Sequence, residues 1–126
     1  PEGMYRLFGW AQTIKKAVSI PVIGSGYSSL RDGRNGLPEA DRAKKSFLYW
    51  AEKNLRDGKV DMVGVGRQSL ADPLFPQKII SGELGSIDYC TICDRCLALM
   101  FAQKEVGCAV HDKYYRDLYL QIKKEK

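Results

Sequence analysis

Apolar residues recur along the opening segment at Met4, Leu7, Phe8, Ala11, Ile14 and Val18. That spacing is helical with one apolar face, and it predicts a helix from Met4 to Val18. Pro21 ends it, because a proline disfavours helical geometry in the residue before it. A brief apolar run, Pro21-Val22-Ile23, is then cut off by Gly24-Ser25-Gly26. A buried strand of a parallel sheet reads this way: short, apolar and closed by a tight turn. Residues 31–38 are turn-rich and read as an exposed loop. A second helix is predicted from Glu39 to Leu55, with Ala43, Phe47, Leu48, Trp50, Ala51 and Leu55 mostly on one side, and Gly58 is a good helix breaker just beyond it. Val60 to Gly66 reads as a second buried strand. Ser69 to Gly82 suggests a third helical segment, with Pro73 and Pro76 near its start and Leu74, Ile79 and Ile80 as its apolar contacts.

Strands alternating with helices imply an α/β fold with a parallel sheet and right-handed crossovers. The pattern changes after Ser86. This last part holds every cysteine and then a Tyr- and Lys-rich tail from Lys113 to Lys126. The tail reads as helical, with Tyr115, Leu118, Tyr119 and Ile122 on one side.

The length, 126 residues, favours one domain or a piece of one. A composition 44% hydrophobic and 28% charged is that of a globular protein with a real core. No apolar run approaches the ~20 residues of a membrane span, and no segment has the layout of a signal peptide, so a cytoplasmic protein with no membrane partner is expected. The net charge of +5 would attract anionic partners. However, Lys123, Lys124 and Lys126 supply part of the surplus, and elsewhere the basic residues alternate with acidic ones. Solvated helix faces explain this better than nucleic-acid binding. The four cysteines lie in one stretch, which argues against a disulfide framework and for thiolates holding a metal in a reducing compartment.

Two features fall at the C-terminal ends of the two expected strands: Gly24-Ser25-Gly26 and Gly66-Arg67. Parallel α/β folds bind ligands at that edge of the sheet. Glycine lets the backbone approach a phosphate closely, and Arg67 could add a charge-assisted contact to it. The plain alternatives are a tight turn at Gly24 and a surface salt bridge at Arg67.

Cys90, Cys93, Cys96 and Cys108 read C-x₂-C-x₂-C-x₁₁-C. Three thiolates at three-residue intervals can wrap one compact centre, with the fourth supplied from further on. Iron–sulfur clusters are held by four such thiolates. Structural zinc usually pairs two C-x₂-C knuckles, and the second knuckle is missing here. A redox dithiol at Cys90 and Cys93 would leave Cys96 and Cys108 unexplained. His111, the one histidine, is expected to be packed or solvated. Tyr114, Tyr115 and Tyr119 are expected to serve packing rather than base stacking.

Val22-Ile23-Gly24-Ser25-Gly26, followed by Asp61 to Gly66 and then Arg67-Gln68-Ser69-Leu70-Ala71-Asp72-Pro73, resembles the last two strand–loop units of barrels in the old yellow enzyme family of NADH:flavin oxidoreductases. The cysteine spacing is similar to the cluster segment of the trimethylamine dehydrogenase and 2,4-dienoyl-CoA reductase branch. The resemblance covers roughly residues 5 to 112. Two departures stand out: a Gly-Ser-Gly-Tyr turn where relatives often carry a Gly-Gly pair, and a long charged stretch at 31–46 that reads as an insertion. The resemblance implies that residues 1–86 are the C-terminal part of an FMN-binding (β/α)₈ barrel, and 87–126 an iron–sulfur segment and tail. Gly24, Ser25, Gly26, Gly66 and Arg67 would then hold the FMN phosphate, and Cys90, Cys93, Cys96 and Cys108 a 4Fe–4S cluster. The parent would draw on NAD(P)H to reduce an activated alkene or similar small-molecule substrate. A whole barrel needs about 250 residues, so the remainder of the parent barrel is the implied partner. The chain alone is expected to be inactive and, through open strand edges, to form a homo-oligomer or be partly disordered. Arg95 and Lys104 lie close enough in sequence to influence the cluster.

Overall fold

The computed structural model describes residues 2–30 and 46–124. The chain divides into two compact units, Pro1–Val65 and Gly66–Lys126. The loop expected at 31–38, most of the expected insertion and the first part of the expected second helix lie outside the described residues.

Unit 1 begins with α1 (Glu2–Ala17), whose last turn carries Lys15 and Lys16, charges that complement the helix dipole. Strand β1 (Ile23–Gly24) follows, then a 3₁₀ turn at Tyr27–Leu30, helix α2 (Phe47–Arg56) and strand β2 (Met62–Val63). α2 starts at Phe47 because Ser46 caps it, its hydroxyl accepting from the Leu48 N–H at 3.2 Å. It stops where Gly58 turns left-handed, φ 64°. There the Gly58 N–H bonds the Leu55 carbonyl and the Lys59 N–H bonds the Asn54 carbonyl, the Schellman arrangement.

The two strands pair in parallel, Ile23 opposite Met62 and Gly24 opposite Val63, in the orientation the alternating pattern predicts. They are shorter than expected and not buried throughout: Ile23 is 59% and Met62 48% exposed. Asp61 ties the start of this sheet to α1. Its carboxylate accepts from Lys15 Nζ at 2.7 Å and from the Val22 N–H at 2.7 Å. The Lys15 bond, then the Val22 bond, hold its pKa below the ordinary carboxylate value.

The core of unit 1 is aromatic. Phe8 stacks on Tyr27 at 4.6 Å between ring centroids, with Trp50 5.8 Å away. Phe47 and Val60 are buried in the same unit. Of the face expected on α1, Phe8 is buried, Met4 and Ala11 are half-buried, and Leu7, Ile14 and Val18 are exposed. Polar residues enter the core as well: Ser28 is buried, and Asn54 is fully buried and donates from Nδ2 to the Tyr27 hydroxyl at 3.0 Å. Loss of solvent around Tyr27 pushes its phenol up, against the bond from Asn54.

Unit 2 holds α3 (Arg67–Ala71), α4 (Phe75–Ile80), a 3₁₀ turn at Leu84–Ser86, α5 (Arg95–Phe101) and α6 (Lys113–Lys124). The single helical segment expected from Ser69 to Gly82 is therefore two short helices. Asp72 stands just before Pro73 and is extended, φ −147° and ψ 96°, as a residue before proline prefers. Its apolar contacts also differ from expectation: Leu74 and Ile80 are exposed and Ile79 half-buried, while Ala71 and Phe75 are buried. α6 keeps its expected face, with Ile122 buried and Tyr115, Leu118 and Tyr119 half-buried. It packs against α5, a helix the sequence pattern did not reveal. Among the described residues, no helix is long and apolar enough to cross a membrane.

Candidate functional site

The glycine turn of unit 1 is built by close packing. Gly24 is buried, and a Cβ there would stand 2.8 Å from Val60 Cγ1 and 3.0 Å from the Tyr27 hydroxyl, too near for any side chain. Gly26 has φ +94°, which favours glycine there; a Cβ would meet only the flexible end of Met4, Cε at 2.7 Å. Ser25 between them is exposed. Gly66 opens unit 2 as the exposed residue preceding α3, with nothing near its absent Cβ. Arg67 is the first residue of α3 and pairs with Asp94, Nη1 to Oδ1 at 2.5 Å.

The polar residues after Arg67 do structural work that their sequence did not advertise. Gln68 is almost fully buried, at 1% exposure. Its Nε2 donates to the Asp88 carbonyl at 2.9 Å, and its Oε1 accepts from the Cys90 N–H at 3.0 Å. Asp72, one helical turn on, accepts from Lys78 Nζ at 2.6 Å, from the Asp88 N–H at 3.1 Å and from the Leu74 N–H at 3.0 Å. Burial raises the Asp72 carboxyl, but Lys78 and the two N–H donors outweigh it and hold it below the usual range. The string Gly66 to Pro73 is thus a platform that grips the backbone at Asp88 and Cys90, where the cysteine segment begins.

All four cysteines line one pocket, together with Arg67, Leu70, Thr91, Asp94 and Ala109. Cys90 is buried, Cys96 and Cys108 half-buried and Cys93 exposed, and none is in a disulfide. The segment between the first three is unusual in its backbone. Ile92 has φ 55° and Asp94 φ 57°, both left-handed. A β-branched residue there is a genuine outlier, of the kind that persists where the surroundings enforce it at functional sites. Left-handed residues set among right-handed ones turn successive N–H groups toward one side, forming the concave anion seats found at phosphate and iron–sulfur sites.

The sulfurs receive those N–H groups. The Ile92 N–H reaches Cys90 Sγ at 3.5 Å. Burial raises the Cys93 thiol, but the Arg95 N–H, the Thr91 hydroxyl and the Arg95 charge bring it below the ordinary thiol value. Cys96 is pushed up by burial, with Cys90 and Cys93 nearby adding to the effect, against the Leu97 N–H and the Arg67 charge. On the far side, Gly107 precedes Cys108 directly beneath the Tyr115 ring, where a Cβ would come within 2.1 Å of Cε2. His111 is exposed, with Nε2 3.1 Å from the Tyr89 carbonyl and Nδ1 3.5 Å from Asp88.

Four thiolates with N–H donors aimed at three of them suit an iron–sulfur centre in chemistry. A single zinc ion needs its sulfurs within about 3.8 Å of one another, given Zn–S bonds of about 2.3 Å. Among the described residues, no three Cys, His, Asp or Glu side chains converge on one such point. A four-iron core asks for a wider tetrahedron, each thiolate capping a separate iron. The free space between the side chains is about 20 Å³, near one water's worth, so a four-iron core requires these thiols to spread.

The chain is 33% identical over 123 residues to a metal reductase from Desulforamulus reducens, a match covering 97% of this chain and 16% of that protein. It is 34% identical over 122 residues to an NADH oxidase from Thermoanaerobacter brockii, covering 91% of this chain and 16% of the relative. A dimethylamine dehydrogenase from Hyphomicrobium sp. is 30% identical over 92 residues, covering 71% of this chain and 10% of its own length. No protein-family model matches the chain, and no solved structure matches it significantly. By their names these relatives are oxidoreductases, and the chain spans no more than 16% of each of them.

Proposed function

We propose that this chain is the C-terminal part of the FMN-binding (β/α)₈ barrel, with the adjoining iron–sulfur segment, of an NADH:flavin oxidoreductase of the old yellow enzyme type. The observation that carries the reading is the pocket lined by Cys90, Cys93, Cys96 and Cys108, on a segment whose left-handed Ile92 and Asp94 turn N–H groups toward sulfur. The similarity to an NADH oxidase and a dimethylamine dehydrogenase over most of this chain supports it.

In this reading the four thiolates hold a 4Fe–4S cluster, and Gly24, Ser25, Gly26, Gly66 and Arg67 receive the FMN phosphate. When bound, the flavin supplies hydride transfer from NAD(P)H and the cluster supplies one-electron exchange. The residues of this chain bind and orient. Gly24 and Gly26 keep the turn free of side chains, so that backbone can approach a phosphate. Arg67 spends one N–H on Asp94 and retains further donors of its guanidinium for a phosphate oxygen. Gln68 and Asp72 fix the start of the cysteine segment. The remaining strands, the substrate contacts and the NAD(P)H contacts belong to the rest of the parent barrel.

The test is the metal and flavin content of the parent protein, purified without oxygen. About four iron and four sulfide per chain, a reduced-state electron paramagnetic resonance signal and FMN released on denaturation are expected. Cys96→Ser is expected to remove most of the iron. One tightly held zinc and no sulfide would overturn the reading in favour of a non-catalytic zinc-stabilised binding module.

A further inference from the structure

We infer that Tyr119 is a positioning residue: its ring, presented by α6, holds the Arg95 guanidinium beside the cysteine segment and thereby raises the reduction potential of the centre bound there. The inference rests on the proposed iron–sulfur function and adds to it a residue distant from the cysteines in sequence.

Arg95 lies between Cys93 and Cys96 and begins α5. Its sequence neighbours Asp94 and Cys96 both line the pocket that holds the four sulfurs. Its guanidinium carbon lies 5.6 Å from the centroid of the Tyr119 ring, and Lys123 Nζ, one turn further along α6, lies 5.5 Å from the same centroid. Both distances fall within the range in which a cation is attracted to an aromatic face. The ring itself is half-buried where α6 packs against α5, so it is a fixed platform rather than a mobile one.

The two guanidiniums near the thiols differ in their partners. Arg67 is paired with the Asp94 carboxylate, which offsets part of its charge. Among the described residues no carboxylate pairs with Arg95, and an aromatic ring is its partner instead. A ring holds a cation without neutralising it. An unneutralised positive charge near the sulfurs stabilises the reduced, more negative form of a cluster, because net charge and hydrogen bonds near sulfur set its potential. Without the ring, a long Arg side chain spreads over rotamers reaching into solvent, where its charge is screened.

The experiment uses the parent protein with its cluster, titrated chemically and followed by electron paramagnetic resonance, as wild type, Tyr119→Phe, Tyr119→Leu, Arg95→Gln and the double variant Tyr119→Leu/Arg95→Gln. Iron and sulfide are counted first. Tyr119→Phe keeps the ring and is expected to match wild type. Tyr119→Leu and Arg95→Gln are each expected to disfavour reduction about tenfold, a shift of about 59 mV to more negative potential for one electron. The double variant is expected to shift no further than Arg95→Gln alone. An unchanged potential in Tyr119→Leu, or an equal shift in Tyr119→Phe, overturns the inference while the cluster assignment stands. If Tyr119→Leu does not fold, Arg95→Gln decides: its side chain is partly exposed, and an unchanged potential there also overturns the inference. A wild-type protein without iron and sulfide would instead overturn the proposed function itself.

Discussion

The two units of this chain are held together by different kinds of interaction. Unit 1 is organised by aromatic rings, Phe8 on Tyr27 with Trp50 beside them, and it buries Phe47 and Val60 as well. A buried polar contact, Asn54 to Tyr27, joins α2 to one of those rings. Unit 2 has small apolar clusters around Leu99, Ala109 and Ile122, but its cysteine segment is gripped by polar side chains. Gln68 and Asp72 make directional bonds to the backbone at Asp88 and Cys90. Apolar packing resists change by volume, whereas a polar grip resists by geometry, and that geometry sets where sulfur atoms stand.

Phe8→Ala should produce the largest effect. Removing a buried ring commonly costs about 3–5 kcal/mol. Hydrogen exchange should speed up in α1, Tyr27–Leu30 and α2, while the segment from Asp88 to Cys96 stays near wild-type rates. Equal loosening of both units would erase the contrast drawn above.

Gln68→Leu should cost less, about 1–3 kcal/mol, because it leaves the Cys90 N–H and the Asp88 carbonyl without their partner. Exchange should rise at Asp88 to Cys96 while α1 and α2 hold, and iron retained by the parent should fall. A variant with full iron and unchanged exchange would show that packing alone positions the segment.

The smallest effect is one of pH and again separates the units. The Asp72 carboxyl lies below its ordinary value in the folded chain. Its contribution is therefore complete above the unfolded value of about 3.9 and is lost as pH falls through the lower folded value. Below about pH 4, exchange protection around Asp88 should fade in wild type, whereas Asp72→Asn should show a weaker grip that no longer changes with pH in that range. An identical acid profile in the two proteins would assign the transition to other carboxylates, Asp61 in unit 1 among them.

Much of this was legible without coordinates. The apolar spacing from Met4 to Val18 marked α1 to within two residues at its start and one at its end. Gly58 marked the end of α2, and the face of α6 was readable from Tyr115 to Ile122. The parallel pairing followed from the alternation of elements. Other features were not legible, for identifiable reasons. The break at Asp72-Pro73 is hidden because Pro73 and Pro76 read as the start of one helix, whereas Pro73 follows the end of α3. α5 was hidden because its apolar residues, Leu97 to Phe101, follow the cysteines so closely that no polar face frames them. The left-handed Ile92 runs against its own residue preference, so no local rule could have proposed it.

The periodicities and the interval between thiols could be read from the chain alone, because they depend on neighbours a few residues away. Tertiary structure decided which polar side chains go inside and what they hold. Gln68 looks like any solvent-facing residue until the Cys90 N–H, 22 residues away, needs an acceptor. Asn54 looks like a surface residue of α2 until Tyr27 meets it. Burial of a polar group is favourable only when a partner arrives to satisfy it, and here those partners come from distant segments of the chain.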